Sequence, residues 1–540
     1  MQRSFIIGLL VAAAAGIAFV LYPGIPLGIP SEWKWHRHPL PESVVAAIAQ
    51  YLPAFFGITV LGFVAIGGSN VIFRARLTCE GDKAQLRRGP ELHITAALLA
   101  GLVFGSWVWL QTCQRCAPSP HRELKSLWVP YDKASSGYFF EAAFRMSSTT
   151  EFLADYEDRL SEGDVYHIGT HPPGLFLISR WTLQLCDNVA WLVSSSGRFR
   201  SRADVEVFRD LESSAGLERP LENFELTALH LLSEFATLAA ALTVIPLYYM
   251  IRRSFHAVVA WRCASLWVTF PCLAIFLPKS DVAFTFTSMT AVALGVFTFA
   301  PRSDLRIRIP FAVAAGLTVW CGLLMSLAHL PVLFLLIILS LIRTLRCYGQ
   351  SSSRTLPTGV ILTELIVLAT VLGTICLATL IFSVTFECNL ISIWQRNLIN
   401  HAAFYEQHTR TWWKWLLVNP VELALSVGLP VTLVMICGVG VLWQRLWNEA
   451  DRRLGTLASD VSLAVLTTIG LLWFSGRTSG EAARLWCFLT PWLLVLVAQV
   501  IRIEVQVKSG KDGGTVWHVL LAAQMLTGAI VCGRVGGFSF

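Results

Sequence analysis

The longest polar stretch of this chain, residues 113–225, carries many of the side chains best suited to chemistry. Asp132 follows an apolar run, and "YFFEAAFRM" (138–146) comes soon after it. On a helix, Tyr138, Glu141 and Arg145 fall at i, i+3 and i+7 and share one face. Further along, "YHIGTHPPGLFLISR" (166–180) sets His171 before two prolines and a glycine. The prolines fix φ and restrict the residue before each, which predicts a rigid corner at His171. Outside this stretch, "SGRTSGEAARLW" (475–486) holds Arg477, Glu481 and Arg484, "LPKSD" (277–281) holds Lys279 and Asp281, and "SLAHLP" (326–331) holds His329. A positioned carboxylate can take a proton. Guanidinium, ammonium and imidazolium groups can hold an anion, the guanidinium bidentately.

These residues must be positioned by membrane helices. The chain has 540 residues, of which 55% are hydrophobic and 14% charged, against about 25% charged in an ordinary soluble domain. Its mean hydropathy is +0.59. A spanning helix needs about 20 apolar residues. Spans are predicted near 4–22, 45–67, 93–112, 226–251, 257–277 and 281–300. Residues 310–343 are split in two by "MSLAHLP", and further spans lie near 358–384, 419–444, 458–475, 484–504 and 516–533. That makes about thirteen. The first is expected to be a retained helix, because no clean cleavage site precedes "YPGIPLGIP".

The net charge of +7 matters less than its placement. Basic segments 74–88, 252–262, 301–308, 343–354, 444–453 and 502–511 all fall on one side when the spans are counted. That pattern marks topology determinants, and no nucleic-acid partner is expected. The N-terminus then lies inside, and the loops 113–225 and 385–418 lie outside. The stretch 172–192 reads as an interfacial amphipathic helix, since Arg180 and Asp187 interrupt its apolar run and Pro suits a helix start. Glu481 and Arg484 lie at i, i+3 where a span begins. Such a charged pair is expensive unless used or paired, so Arg484 either holds an anion or answers Glu481. Asp281 reads as a helix N-cap.

Cys113 and Cys116 form a C-x-x-C, read as incidental thiols or a local disulfide. A zinc site would want two more ligands, and a thioredoxin-like motif a βαβ context. In 396–414, Arg396, His401, Tyr405, His408, Arg410 and Lys414 crowd near Trp412, Trp413 and Trp415. This reads as an interfacial segment for lipid headgroups, or as a sugar or acceptor surface. His401 and His408 could serve a metal, but no carboxylate cluster supports one, so no cofactor is expected. No repeat, Walker A motif or Gly-rich nucleotide loop is present in the sequence.

The order span, Asp132, Tyr-x-x-Glu-Ala-x-x-Arg-Met, then a basic residue before Pro-Pro and an apolar run resembles a known outer loop. It is similar to the first outer loop of the GT-C-fold membrane glycosyltransferases that use polyprenyl-phosphate sugars. That group includes the dolichyl-phosphate-mannose protein mannosyltransferases and the lipid A aminoarabinose transferase. The resemblance covers Asp132 to about Arg180. It implies an all-α polytopic bundle, here of about 13 helices, with interfacial helices in the large loop. It also implies transfer of a sugar from a polyprenyl-phosphate donor to a lipid, glycan or protein acceptor on the outer face of the cell (inner) membrane. Asp132 inherits the role of catalytic base, with Glu141 as rival. The departures are Lys133 for the family's Glu, a longer gap to Tyr138, His171 for Lys and Gly174 for Leu. The leaving phosphate needs cationic donors, for which Arg484, Arg477, Lys279, His171 and His329 are the candidates, with Tyr138 beside them.

On this reading the chain divides into 1–92 (two spans and an inner loop), 93–384 (the core with loop 113–225) and 385–540 (outer loop 385–418 and the remaining spans). Two other classes remain in view. A surface-polysaccharide polymerase or ligase would share the lipid-linked donor. A transporter would place its ionisable groups near the midplane, whereas here they cluster at the outer ends of spans.

Overall fold

Thirteen helical stretches among the described residues are long and apolar enough to cross a membrane, and each overlaps a span expected from sequence. The computed structural model describes residues 2–78, 92–133, 135–161, 168–199, 201–214, 219–300, 304–350, 358–447, 456–507 and 514–538. The chain is an all-α polytopic membrane protein. Helices prevail because a spanning backbone must satisfy its own N–H and C=O groups. Much of basic segments 74–88, 343–354, 444–453 and 502–511, and the start of 301–308, lies outside the described residues.

The Ala257–Phe276 span is buried along its whole tested length. Indole N–H groups stitch it and its continuation to their neighbours: Trp261 donates to the Ala65 carbonyl at 2.8 Å, Trp267 to Ala240 at 2.9 Å, and Trp109 to Val268 at 2.9 Å. Each pairs a large apolar body with a satisfied polar tip. Buried ion pairs tie other helices together. Asp460 meets Arg343 at 3.1 Å and Arg346 at 2.5 Å, and Arg308 meets Glu364 at 2.8 Å.

Two boundaries differ from expectation. The helix Trp412–Val427 stops at Gly428, whose φ of 96° breaks it, and the span proper is Leu429–Trp447 rather than 419–444. Arg484 does not begin a span. It sits on a separate short helix, Ala482–Leu485, ahead of the span Cys487–Val505.

The large loop folds into short helices: His121–Tyr131, Tyr138–Phe144, Thr149–Ala154, Tyr156–Leu160, Gly174–Asn188, Ala190–Phe199 and Arg202–Ser214. The expected interfacial helix 172–192 is Gly174–Asn188, followed after one residue by Ala190–Phe199. A separate apolar cluster, with Leu127, Tyr131, Phe139, Phe140, Leu183 and Phe208, holds four of them, His121–Tyr131, Tyr138–Phe144, Gly174–Asn188 and Arg202–Ser214, to one another. Arg180 reinforces it by donating to the carbonyls of Ala142 and Ser147, both at 3.3 Å.

A strap after the first span crosses the same end of the bundle. It forms two antiparallel ribbons, Gly28–Ile29 with Trp33–Lys34 and His36–Arg37 with Val535–Gly536. Glu32 fastens it, accepting from Thr411 N at 2.8 Å, Thr411 Oγ1 at 2.6 Å and Trp415 Nε1 at 2.7 Å, with Lys414 at 3.3 Å. Burial alone would raise the pKa of Glu32, but the donors led by Thr411 outweigh it and bring it down to about 2.

Candidate active site

Asp132 caps the C-terminal end of His121–Tyr131. Its backbone carbonyl accepts from Ser135, Ser136 and Gly137 N, and its carboxylate accepts from Ser135 N at 2.8 Å. This tight turn leads into Tyr138–Phe144 through Gly137, whose φ is 70°. The turn explains the longer gap between Asp132 and Tyr138. Lys133, the departure from the family's acidic residue, folds its ammonium over the Phe140 ring at 3.9 Å.

Tyr138 is buried and joins two sides of the site. Its ring meets His171 at 5.5 Å and Phe176 at 5.2 Å between centroids. Its hydroxyl is hydrogen-bonded to Ser280 and lies in the fields of Asp281 and Arg484. Burial, then Asp281, raises its pKa. His171 occupies the expected corner. Its carbonyl accepts from Tyr156 Oη at 2.8 Å and Asn397 Nδ2 at 3.3 Å, and its Nδ1 is 3.0 Å from Thr170 Oγ1. Gly174 follows because a Cβ there would meet the Leu324 carbonyl oxygen at 2.5 Å. The helix Gly174–Asn188 thus butts directly against the end of Leu305–Met325.

Lys279 lies at the N-cap position of Ser280–Thr298 and is 7% exposed. No hydrogen bond engages its ammonium among the described residues. That ammonium feels the positive charge of Arg484 and the negative charges of Asp281, Glu481 and Asp132. Burial, then Arg484, lowers its pKa to about 8. Asp281 is not the cap expected from sequence. It stands in the first turn of the helix, facing the cations.

Arg484 pairs with Glu481 at 2.6 Å, while its Nε is buried without a hydrogen bond. Burial disfavours its charge, but Glu481 and Asp281 outweigh that and raise its pKa. Glu481 adopts φ 55°, a left-handed conformation rare for a residue with a side chain. Glu422 helps hold this turn. It accepts from Ala482 N at 2.9 Å through Oε2 and from the Trp35 indole through Oε1. An apolar groove of about 230 Å³, lined by residues including Val20, Leu27, Phe276, Val421 and Val531, reaches Glu422 and Ala483 beside Arg484.

The candidate residues therefore divide. Asp132, Tyr138, His171, Lys279 and Arg484 are linked by contact or by shared charge. Glu141 turns to Arg145 at 3.2 Å. Arg477 is exposed, and the charge it acts on is that of His401. His329 is fully buried with both ring nitrogens engaged, Nε2 by Thr287 Oγ1 at 2.8 Å and Nδ1 by the Ser326 carbonyl at 3.2 Å, so it packs as core. Two residues outside the expected set join the group. Asp281 is one. Tyr405 is the other, half-buried and in the fields of Glu481 and Arg484, with its pKa pushed up to about 12 by burial first. The Lys279-to-Asp281 spacing could have flagged the first, but nothing in sequence brings Tyr405 to Arg484. Among the described residues, no group of three or more His, Cys, Asp or Glu is placed to hold a metal ion.

The sequence matches no family model and no curated relative. Solved structures do match. The chain is similar in structure to archaeal oligosaccharyltransferase. The Archaeoglobus fulgidus enzyme in complex with Zn and sulfate aligns at 12% identity and TM-score 0.40, over 80% of this chain and 54% of that one. The same archaeon's AglB, in complex with an inhibitory peptide and a dolichol-phosphate, aligns at 11% identity and TM-score 0.39, over 82% and 57%. The present chain spans about half the length of these structures.

Proposed function

We propose that this chain is a membrane glycosyltransferase that moves a sugar from a polyprenyl-phosphate donor to an acceptor on the outer face. The observation that carries the reading is Lys279: a buried ammonium without a hydrogen bond, set between Arg484 and the carboxylates Asp281, Glu481 and Asp132. A buried cation is costly unless an anion answers it. A phosphate that meets Lys279 and the unpartnered Nε of Arg484 would be such an anion. The groove ending at Ala483 is apolar, as an isoprenoid chain attached to that phosphate requires.

Asp132 is the base in this proposal. It removes the acceptor hydroxyl proton as the acceptor oxygen bonds to the sugar's anomeric carbon. The anomeric carbon–phosphate oxygen bond breaks, and its electron pair stays on the phosphate, where Lys279 and Arg484 stabilise the charge. His171 and Tyr138 line the approach. Glu141, held by Arg145, keeps the loop helix in place. Isolated membranes supplied with a panel of labelled polyprenyl-phosphate sugars test this directly. One donor is expected to give labelled product with the wild type and not with Asp132→Asn. Undiminished transfer by the variant would remove Asp132 as base, and no transfer from any donor by the wild type would remove the donor class.

A further inference from the structure

A second group of basic side chains lies apart from Lys279 and Arg484. It gathers where the strap, the start of His121–Tyr131 and the end of Thr515–Arg534 meet. Arg534 is 4% exposed, and its Nε and Nη1 form no hydrogen bond. Its backbone carbonyl accepts from His38 N at 2.8 Å. The His38 ring stacks at 4.5 Å on that of His121. Lys125, one turn after His121 and on the same helix face, gives one proton to the Ala274 carbonyl at 2.9 Å and retains two. His36 stands at the exposed rim. Arg37 is turned away, donating to the carbonyls of Phe19 and Val20.

The other groups facing this cluster do not neutralise it. Cys113, Cys116, Cys532 and Tyr51 adjoin it, and the Phe538 ring lies 5.9 Å from the Lys125 ammonium; none of these is a carboxylate. Glu123 is a carboxylate whose charge reaches His121. It lies about 200° around the helix from both His121 and Lys125 and pairs with Arg122. His38 therefore sits in the fields of His121, Lys125, Arg534 and His36. Burial, then His121 and Lys125, lowers the pKa of His38 to about 4, and burial lowers that of Lys125 to about 8. A fold that buries a guanidinium with two idle nitrogens, near an ammonium and two imidazoles, suits an anion there.

We infer that this cluster is a second anion site, taking a phosphate group held by Arg534, Lys125 and the His38–His121 pair. The idle nitrogens of Arg534 can donate to phosphate oxygens, and Lys125 to another. The phosphate can belong to a lipid headgroup or be free in solution, since the cluster lies where the helix Thr515–Arg534 ends. It is separate from the proposed donor site. Lys125 and Asp132 lie on one helix about 10 Å apart along its axis.

The test uses the purified full-length protein in neutral detergent, in both the unaltered and the Arg484→Gln backgrounds, so that phosphate at the donor site is not mistaken for this one. Inorganic phosphate is titrated against chloride at equal ionic strength, with binding read by phosphorus NMR. Retention of phosphatidylglycerol is read by native mass spectrometry. Lys125→Gln and the rim variant His121→Gln are each expected to weaken binding at least about tenfold, as loss of a charge-assisted hydrogen bond does, while both proteins keep the wild-type unfolding midpoint in chloride to within a few degrees. Binding of inorganic phosphate supports a free anion as occupant. Retention of phosphatidylglycerol without phosphate binding supports the lipid headgroup. Equal binding of both probes by wild type and His121→Gln, or no binding of either by the wild type, overturns the site. Loss of sugar transfer in Arg484→Gln with this binding intact would leave the two sites independent.

Discussion

Replacing Lys279 by methionine is expected to make the protein more stable and less active. Methionine keeps the apolar stem and removes the charge. The lysine's pKa falls from 10.5 to about 8, through burial first and then Arg484. A folded value below the unfolded one means that the unfolded chain binds the proton more tightly. Charging Lys279 therefore opposes folding, fully below pH 8, progressively less towards pH 10.5 and not at all above it. A tenfold change in proton affinity is worth about 1.4 kcal/mol, so the penalty near neutral pH is on the order of 3 kcal/mol. Lys279→Met should raise the thermal unfolding midpoint at pH 7, and that gain should shrink as pH climbs past 8. Donor binding should move the other way, losing about 1.5–3 kcal/mol, or roughly ten- to a hundredfold in affinity. In the wild type, kcat/KM for the donor should decline as pH rises through about 8, and the variant should lack that limb. Opposite signs for stability and affinity are what an anion-binding lysine predicts. A variant that melts earlier and binds donor normally would refute the reasoning and make Lys279 a structural partner of Asp281 and Glu481.

Three other outcomes follow from the geometry. Asp132→Asn should reduce transfer about 10²–10⁴-fold with donor binding retained, whereas Glu141→Gln should chiefly lower the unfolding midpoint by freeing Arg145, as parallel donor-binding and turnover assays would reveal. Glu32→Gln should loosen the strap. Because the folded carboxylate sits at about 2 rather than 4.5, its contribution is present above pH 4.5 and disappears as pH falls towards 2, so the melting difference from wild type should vanish in acid. Gly174→Leu, which restores the family residue, should cost about 1–3 kcal/mol by overpacking against Leu324, and a melting series with Gly174→Ala as the smaller step checks it.

Span positions were legible because length and apolarity alone specify a membrane helix. Even the break between Leu305–Met325 and the span after it was visible in "MSLAHLP". The environment of that break was not. Sequence cannot tell a turn in water from a turn folded under neighbouring helices, and Thr287 and Phe488, which surround His329, are remote in the chain. The position of Arg484 differs from expectation by a few residues. Apolar content runs continuously from Ala482 into the span, while the strain at Glu481 and the hold of Glu422 on Ala482 N end the short helix.

The site shows why local patterns reveal candidates and not their partners. Asp132, Tyr138 and His171 belong to one loop, so their order and spacing carry information. Lys279, Tyr405 and Arg484 come from three separate segments, and only the packing of the bundle makes them neighbours. Glu481 is the clearest case. In sequence it reads as the i, i+3 partner of Arg484, which would neutralise it. In the fold, the pair forms across a left-handed residue held by backbone contacts. Glu481 engages Arg484 through Nη2 and leaves Nε without a partner. Pairing and anion binding are then compatible rather than alternatives, since one guanidinium presents five donors and a carboxylate occupies two at most.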